Sequence, residues 1–334
     1  TRLGVDNARE LVGAMLHPIN YPVIDTERGV VSSGHGVLQP RIALDLTAAN
    51  RSDFAAILGG QGGLDPYSRK SGDVFQDLFD QGSFTGKGIV SVDAYHSCLN
   101  HRLPENQILS HDLIEGAYLR SGFMSGTELS DGFPYKVVSY YQRMHRWIRG
   151  DWQIASWLFG RVKNDNNEKE NNPINFINKW KIFDNIRRSL TPPALFAAVF
   201  LSMFTGGAAL FWTVLISIIS LSSKLLISSA DTMLRPGGAL KPKYKSSVIS
   251  GIAGAVMQTF LQFVMLPYSA FVCISAILTS LYRMFISKKN MLKWVTAEDS
   301  LNIKNDGFLY YFRKMFFAVV SGLLAIVFSP FPAG

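Results

Sequence analysis

The stretch SLTPPALFAAVFLSMFTGGAALFWTVLISIISLSS, residues 189–223, decides what kind of chain this is. It runs for 35 residues between Arg188 and Lys224 without a charge. One bilayer crossing takes roughly 20 apolar residues, so the run has room for a hairpin of two helices broken at Thr205-Gly206-Gly207. Two more uncharged runs follow, 246–282 and 315–334. The first of these reads as a hairpin, or as a surface helix plus one span, bent near Pro267. Apolar segments are therefore expected at about 192–228, 246–282 and 312–332. Residues 189–334 form a membrane region, and 1–188, with mixed charge, read as a separate soluble domain.

The charge pattern agrees with this division. Hydrophobic residues make up 48% of the 334 and charged residues 17%, below the usual quarter for soluble domains. The net charge is +8, and much of the excess hugs the apolar runs. Arg187 and Arg188 precede the first run. Arg235, Lys241, Lys243 and Lys245 separate it from the second. Arg283, Lys288, Lys289 and Lys293 follow the second, and Arg313 with Lys314 precede the third. The positive-inside rule places these loops on the cytoplasmic side. A basic balance distributed in this way argues for a lipid bilayer as partner and against nucleic acid. Cys98 and Cys273 offer no disulfide framework. No signal peptide is visible, and the chain starts without Met in mid-pattern, so it reads as a fragment.

The first half interleaves helix and strand patterns, which predicts an α/β fold. TRLGVDNARELVGAMLHP has helical spacing at Leu11, Val12, Met15 and Leu16, with Asp6 or Asn7 as cap. PVIDTERGVVSSGHGVLQPRIAL reads as strands joined by turns, and GGQGGLDPYSRKSG as a loop. GIVSVDAYHSCL is a strand or turn leading into a helix. HDLIEGAYLRSG is a short helix, SYYQRMHRWIRGDWQIASWLFG a longer one, and KNDNNEKENN a polar linker.

Three stretches carry candidate chemistry. GSFTGKG, 82–88, is not a P-loop, because three residues rather than four stand before Gly-Lys and glycine follows the lysine. It is either an ordinary tight turn or a turn that brings backbone close to something bulky and polar. In LSHDLIEG, Asp112 and Glu115 are first-turn acids of a helix, or Asp112 is a general base held at a helix start. His111 beside it is a phosphate ligand or a core histidine. In RMHRWIRGDWQ, 143–153, helical spacing aligns Arg143, Arg146, Trp147 and Gly150 on one face. Two arginines there suit a diphosphate and the tryptophan suits a sugar ring, with Asp151 pairing to Arg146 or Arg149. The competing reading is an interfacial belt of Trp and Arg.

Taken together the motifs resemble the glucosyltransferase domain of cyclic β-1,2-glucan synthases, glycosyltransferase family 84, related to the processive family 2 enzymes such as cellulose synthase. GVLQPRI, DPYS, DVFQDLFDQGSFTGKGIVSVDAY, PENQILSHDLIEG, HRWIRGDWQ, LPYSAF and SKKNMLKWVTAEDS carry the resemblance, in the family's order and along nearly the whole chain.

The resemblance implies a glycosyltransferase-A-like (Rossmann-like) cytoplasmic domain, whose C-terminal part is 1–188, followed by transmembrane and interfacial helices. It implies inverting glucosyl transfer from UDP-glucose to a growing β-1,2-glucan acceptor at the bacterial inner membrane, with further domains on the same polypeptide. Asp112, in Ser110-His111-Asp112, corresponds to the acid of the class's Thr-Glu-Asp motif and so to the base. His111 falls beside the substrate. Arg143, Arg146 and Trp147 correspond to the Gln-x-x-Arg-Trp motif, with arginine in place of glutamine. Phe84, Thr85 and Gly86 fall where the acceptor loop lies. A Mg2+ or Mn2+ ion is implied, but its Asp-x-Asp motif is expected upstream of Thr1, leaving no metal ligand assigned here. Another processive polysaccharide synthase, or a non-catalytic membrane protein that binds a sugar nucleotide, are the other readings.

Overall fold

The strand Val37–Leu44 sits at the centre of the N-terminal half because every residue of VLQPRIAL is buried or half-buried. Strands covered on both faces read as near-continuous apolar runs rather than alternating ones. The structure, a computed structural model, describes residues 2–59, 68–69, 72–205, 207–234, 242–295 and 307–328. Most of the expected loop at 59–72, and the end of the SKKNMLKWVTAEDS motif, lie outside the described residues.

Along the chain, β1 (Arg2–Leu3) precedes α1 (Asn7–Met15), then β2 (Val23–Asp25), β3 (Val30–Ser33) and β4 (Val37–Leu44) follow. Next come α2 (Leu46–Ala49), α3 (Asp53–Leu58), β5 (Ser68–Arg69), β6 (Gly72–Asp73), α4 (Val74–Phe79), β7 (Ile89–Val90) and α5 (Val92–Leu99). The N-terminal half continues with α6 (Asp112–Tyr118), β8 (Gly122–Asp131), α7 (Val137–Gln153), β9 (Arg161–Lys163) and β10 (Lys169–Asn171). The fold is mixed α/β. A four-stranded sheet has the order β1-β8-β4-β7, with β4 and β8 parallel and the outer pairs antiparallel. Parallel neighbours need a crossover connection, and α5 and α6 provide it. The β4–β8 register shifts after Pro40, where a proline in a central strand is tolerated only at an irregularity. Val37, Cys98, Leu99, Ile114, Tyr118 and Trp157 belong to one buried cluster beside this sheet.

The 161–171 region corrects one expectation. The polar stretch read as a linker forms the β9–β10 hairpin. Its tip is closed by Asn164, whose side chain accepts from Glu168 N and donates to Glu170, while Val162 is buried in the core. Asx side chains build turns of this kind from sequence that looks merely hydrophilic.

Among the described residues, five long helices and one short one follow: α8 (Phe176–Thr205), α9 (Gly207–Leu234), α10 (Pro242–Val264), α11 (Leu266–Leu281), α12 (Phe308–Lys314) and α13 (Phe316–Phe328). The chain breaks between α8 and α9 where Thr205-Gly206-Gly207 was expected to break it. Gly207 has a positive φ, and Ser202 and Thr213 hydroxyls meet at 2.7 Å across the break. A second break precedes Pro267, between α10 and α11. By length and composition Leu266–Ser287 is long and apolar enough to cross a membrane, and Gly207–Ser223 and Ala253–Val264 are shorter apolar helices. The face of α11 carrying Cys273, Ala276 and Ile277 packs on Ile148 of α7, and Tyr268 and Val272 pack on Tyr141. The other face leaves Phe271, Ile274, Leu278 and Tyr282 exposed. α7 is thus the joint between the two halves.

Candidate active site

Asp112 opens α6, and the chain on either side of it is held by close backbone packing. An atom in place of the Gly86 α-hydrogen would lie 2.7 Å from Asp112 Oδ1. Gly86 has φ +83, a left-handed conformation that suits glycine, so the 82–88 turn closes directly on the carboxylate. On the other side Gly150 lets α7 come against Ser110, where a Cβ would meet Ser110 Cβ at 2.8 Å. Gln153, one turn on, accepts from Leu109 N at 2.7 Å. The Ser110 hydroxyl donates to Asp112 Oδ2 at 3.2 Å. The sequence placed Asp112, Gly86 and Gly150 in three separate motifs, and the fold brings all three together.

Burial pushes the Asp112 carboxyl up from its ordinary value, the charge of His111 pulls it down, and the Ser110 hydroxyl and Arg146 also favour the ionised form. The carboxylate is therefore a stronger base than a solvated aspartate, yet it remains accessible to ionisation beside two cations. His111 is itself held by Glu115. Its Nδ1 lies 2.9 Å from Glu115 Oε1, which also accepts from the Tyr95 hydroxyl at 2.7 Å. The bond to Glu115 raises the His111 pKa. Burial would raise Glu115, but the bonds from His111 and Tyr95 outweigh it and keep the carboxylate ionised.

The arginines of α7 have three different surroundings. Arg143 stacks over Trp147, 4.7 Å from the ring centre, and lies 3.7 Å from Asp131 at the end of β8. Lys87 of the 82–88 turn pairs with the same Asp131. Arg146 stacks over Trp294 at 4.5 Å and favours the charged form of Asp112. Arg149 donates to the carbonyls of Met291 and Lys293, each at 2.8 Å, on the segment that also carries Trp294. Gln153 also donates to Met291 O. The segment after α11 is thereby strapped across α7 beside the site. Asp151 pairs with neither expected arginine. It accepts from Asn185 of α8 at 3.0 Å and feels the charge of Arg188, and burial lifts it to about 7. The reason is helical phase: Asp151 lies on the α8 side of α7.

The 81–88 segment completes the site. Phe84 is buried, and Thr85 donates through both its amide and its hydroxyl to Gln39 of β4. Gln39, Asp131 and Trp294 were not singled out from sequence, and Glu115 and Arg149 were read there only as a first-turn acid and a partner for Asp151. Gln39 left a signal there, since a glutamine inside an apolar strand needs a polar partner. Trp294 lay within a motif already quoted, without a stated role.

The ligating atoms of His111, Asp112 and Glu115 lie within 4.8 Å of one another. They do not fit the metal that the family resemblance implies. His111 Nδ1 and Glu115 Oε1 already bond each other, Tyr95 occupies the same oxygen, and the cluster is a closed hydrogen-bond chain rather than a cradle of free carboxylates.

No family model matches the chain. It is 36% identical over 329 residues to the cyclic beta-(1,2)-glucan synthase NdvB of Rhizobium meliloti (strain 1021). That alignment covers 98% of this chain and 11% of the length of the relative.

Proposed function

We propose that this chain supplies the acceptor-side catalytic wall of a membrane-bound cyclic β-1,2-glucan synthase, with Asp112 as general base. The observation that carries the reading is one half-buried carboxylate on which Gly86 closes, to which Ser110 donates and which feels the charge of Arg146. Similarity to a glucan synthase along 98% of the chain supports the same reading. In the proposed reaction Asp112 takes the proton from the 2-hydroxyl of the acceptor sugar. The freed oxygen attacks the anomeric carbon of UDP-glucose from the face opposite the diphosphate. One C–O bond forms as the bond to UDP breaks, and the α-linked donor becomes a β-1,2 linkage. UDP leaves as an anion and needs no general acid. Arg146, and Arg143 beyond it, stabilise the charge that develops there. Trp147, 37% exposed, offers a face for the acceptor ring, and Phe84, Thr85 and Gly86 form the turn beneath it. The Mg2+ or Mn2+ of this reading draws its ligands from outside the residues described here.

The membrane part of the proposal rests on α8–α11 and α13. Phe204, Phe211, Trp212, Phe260, Phe271 and Leu323 are exposed large apolar side chains. Exposed apolar surface on this scale marks a contact with lipid or another apolar partner. The basic loops support a cytoplasmic face for the catalytic half by the positive-inside rule, in this reading that of a bacterial inner membrane.

Membranes carrying Asp112→Asn in the intact protein test the proposal. Incorporation of glucose from UDP-glucose is expected to fall by roughly 10²–10⁴-fold, the usual range for losing a general base. Folding is expected to hold. Because the folded pKa of Asp112 is raised, its ionised form opposes folding, so stability is greatest below the unfolded pKa and declines as pH rises through the folded one. The neutral asparagine therefore leaves Tm at neutral pH equal or higher. Wild-type incorporation by Asp112→Asn removes Asp112 from its role.

A further inference from the structure

α8 has two ends with different work. Its second half belongs to the apolar run, while its first turns reach beneath the 81–86 segment. Asn178 Nδ2 donates to Gln81 Oε1 at 3.0 Å. Lys181 Nζ donates to the carbonyls of Gln81 at 3.3 Å and Gly82 at 2.8 Å. Lys181 is 1% exposed, which is unusual for lysine. Its countercharge is Asp73, and its ammonium lies over the Phe75 ring at 4.8 Å. Asp73 caps α4 through Phe75 N and accepts from Ser83 N at 3.1 Å.

A buried ion pair seldom stabilises a fold more than apolar side chains of the same volume. What Lys181 does that a leucine cannot is fix main-chain carbonyls. The segment it holds is anchored at each following residue. Gly82 N donates to Ser121 O, Ser83 N to Asp73, Phe84 packs against Gly116, and Thr85 is bonded to Gln39. Gly86 then rests on Asp112. Seen from the base outward, the turn has one fixed path, and Lys181 stands at its root.

We propose that Lys181 is a positioning residue for the acceptor side of the site. Holding Gln81 and Gly82, it sets where residues 84–86 stand against Asp112, and so whether a sugar hydroxyl or water reaches the base. The inference rests on the glucosyl-transfer reading above. Since Lys181 lies on the helix that continues into 189–205, the acceptor turn is also tied to the seating of that helix.

The test compares Lys181→Met and Asn178→Ala with wild type, using the intact protein in membranes, UDP-glucose and an added β-glucan oligosaccharide. Two quantities are read: the KM for the oligosaccharide, and the ratio of free glucose released to glucose transferred. Both are expected to rise about tenfold in Lys181→Met, the scale of a sub-ångström misplacement, with the KM for UDP-glucose unchanged. Asn178→Ala is expected to move both in the same direction by less. A purely structural role lowers the amount of active protein and leaves ratio and acceptor KM alone, and that result overturns the proposal. If Lys181→Met does not accumulate, an unchanged ratio in Asn178→Ala overturns it. Absence of any glucosyl transfer by wild type overturns the functional reading as well, whereas wild-type transfer with unmoved variants overturns the role of Lys181 alone.

Discussion

Two segments close on α7 and Asp112 from opposite halves of the molecule, and they are held in different ways. The 81–86 turn belongs to the N-terminal half, and nearly every residue of it is bonded or buried by a different element: α8, β6, α6 and β4 in turn. The 291–294 segment comes from the C-terminal half and is held by side chains, Arg149, Gln153 and Arg146 of α7 and Arg283 just beyond α11. The first contact is built into the core. The second is a strap tied by side chains rather than built into the sheet, and such a segment opens at lower cost. In the proposed reading the turn therefore places the base, and the strap affects transfer less.

That comparison breaks most easily at Gly86. Gly86→Ala puts a methyl group 2.7 Å from Asp112 Oδ1 at a φ of +83. Either the turn or the carboxylate must shift, and a loss of about 10²-fold in glucosyl transfer is expected, with a folding cost of only about 1 kcal/mol. Transfer near wild type, with Tm measured alongside, means the turn does not place the base.

Arg149→Met tests the strap. It removes the 2.8 Å bonds to the carbonyls of Met291 and Lys293, leaving them only the longer ones from Gln153 and Arg283, and losing hydrogen bonds to a charged group costs about 1–3 kcal/mol. Limited proteolysis is expected to cut sooner around 288–295, and transfer to fall about tenfold, less than for Gly86→Ala. An equal or larger loss of transfer puts the strap and the turn on the same footing.

The smallest effect is a pH shift. In the proposed reaction Asp112 acts ionised, so the rate is expected to fall as pH drops through its folded pKa. The charge of His111 holds that pKa down, against burial. His111→Gln therefore moves the acid limb of the pH–rate profile to higher pH, while the 81–86 turn, which His111 does not touch through any bond described above, keeps its place. An unmoved limb means that His111 does not tune the base.

Much of this was legible in the sequence. Uncharged runs are set by composition, so the helix breaks at Thr205–Gly207 and before Pro267 could be read directly, while α8 runs unbroken across residue 188. Helical phase was equally local: Arg143, Arg146, Trp147 and Gly150 share a face of α7 because side chains three and four apart lie together. The resemblance drew Asp112, Arg146 and the 84–86 turn from separate motifs, and the structure packs Gly86 and Arg146 about Asp112. What only the tertiary structure decided was partnership. Asp151 meets Asn185 rather than an arginine, Arg143 meets Asp131, Arg149 holds the strap, and Lys181 holds the turn, because each pairing joins residues far apart in the chain whose meeting depends on how α7, α8 and the sheet pack. Even the polar stretch at 163–172 became a hairpin only because Val162 had a core to enter. Local chemistry determines which segments are helical, apolar or able to turn. Which charge faces which is settled by packing, since a buried polar group takes the partner the fold brings within reach.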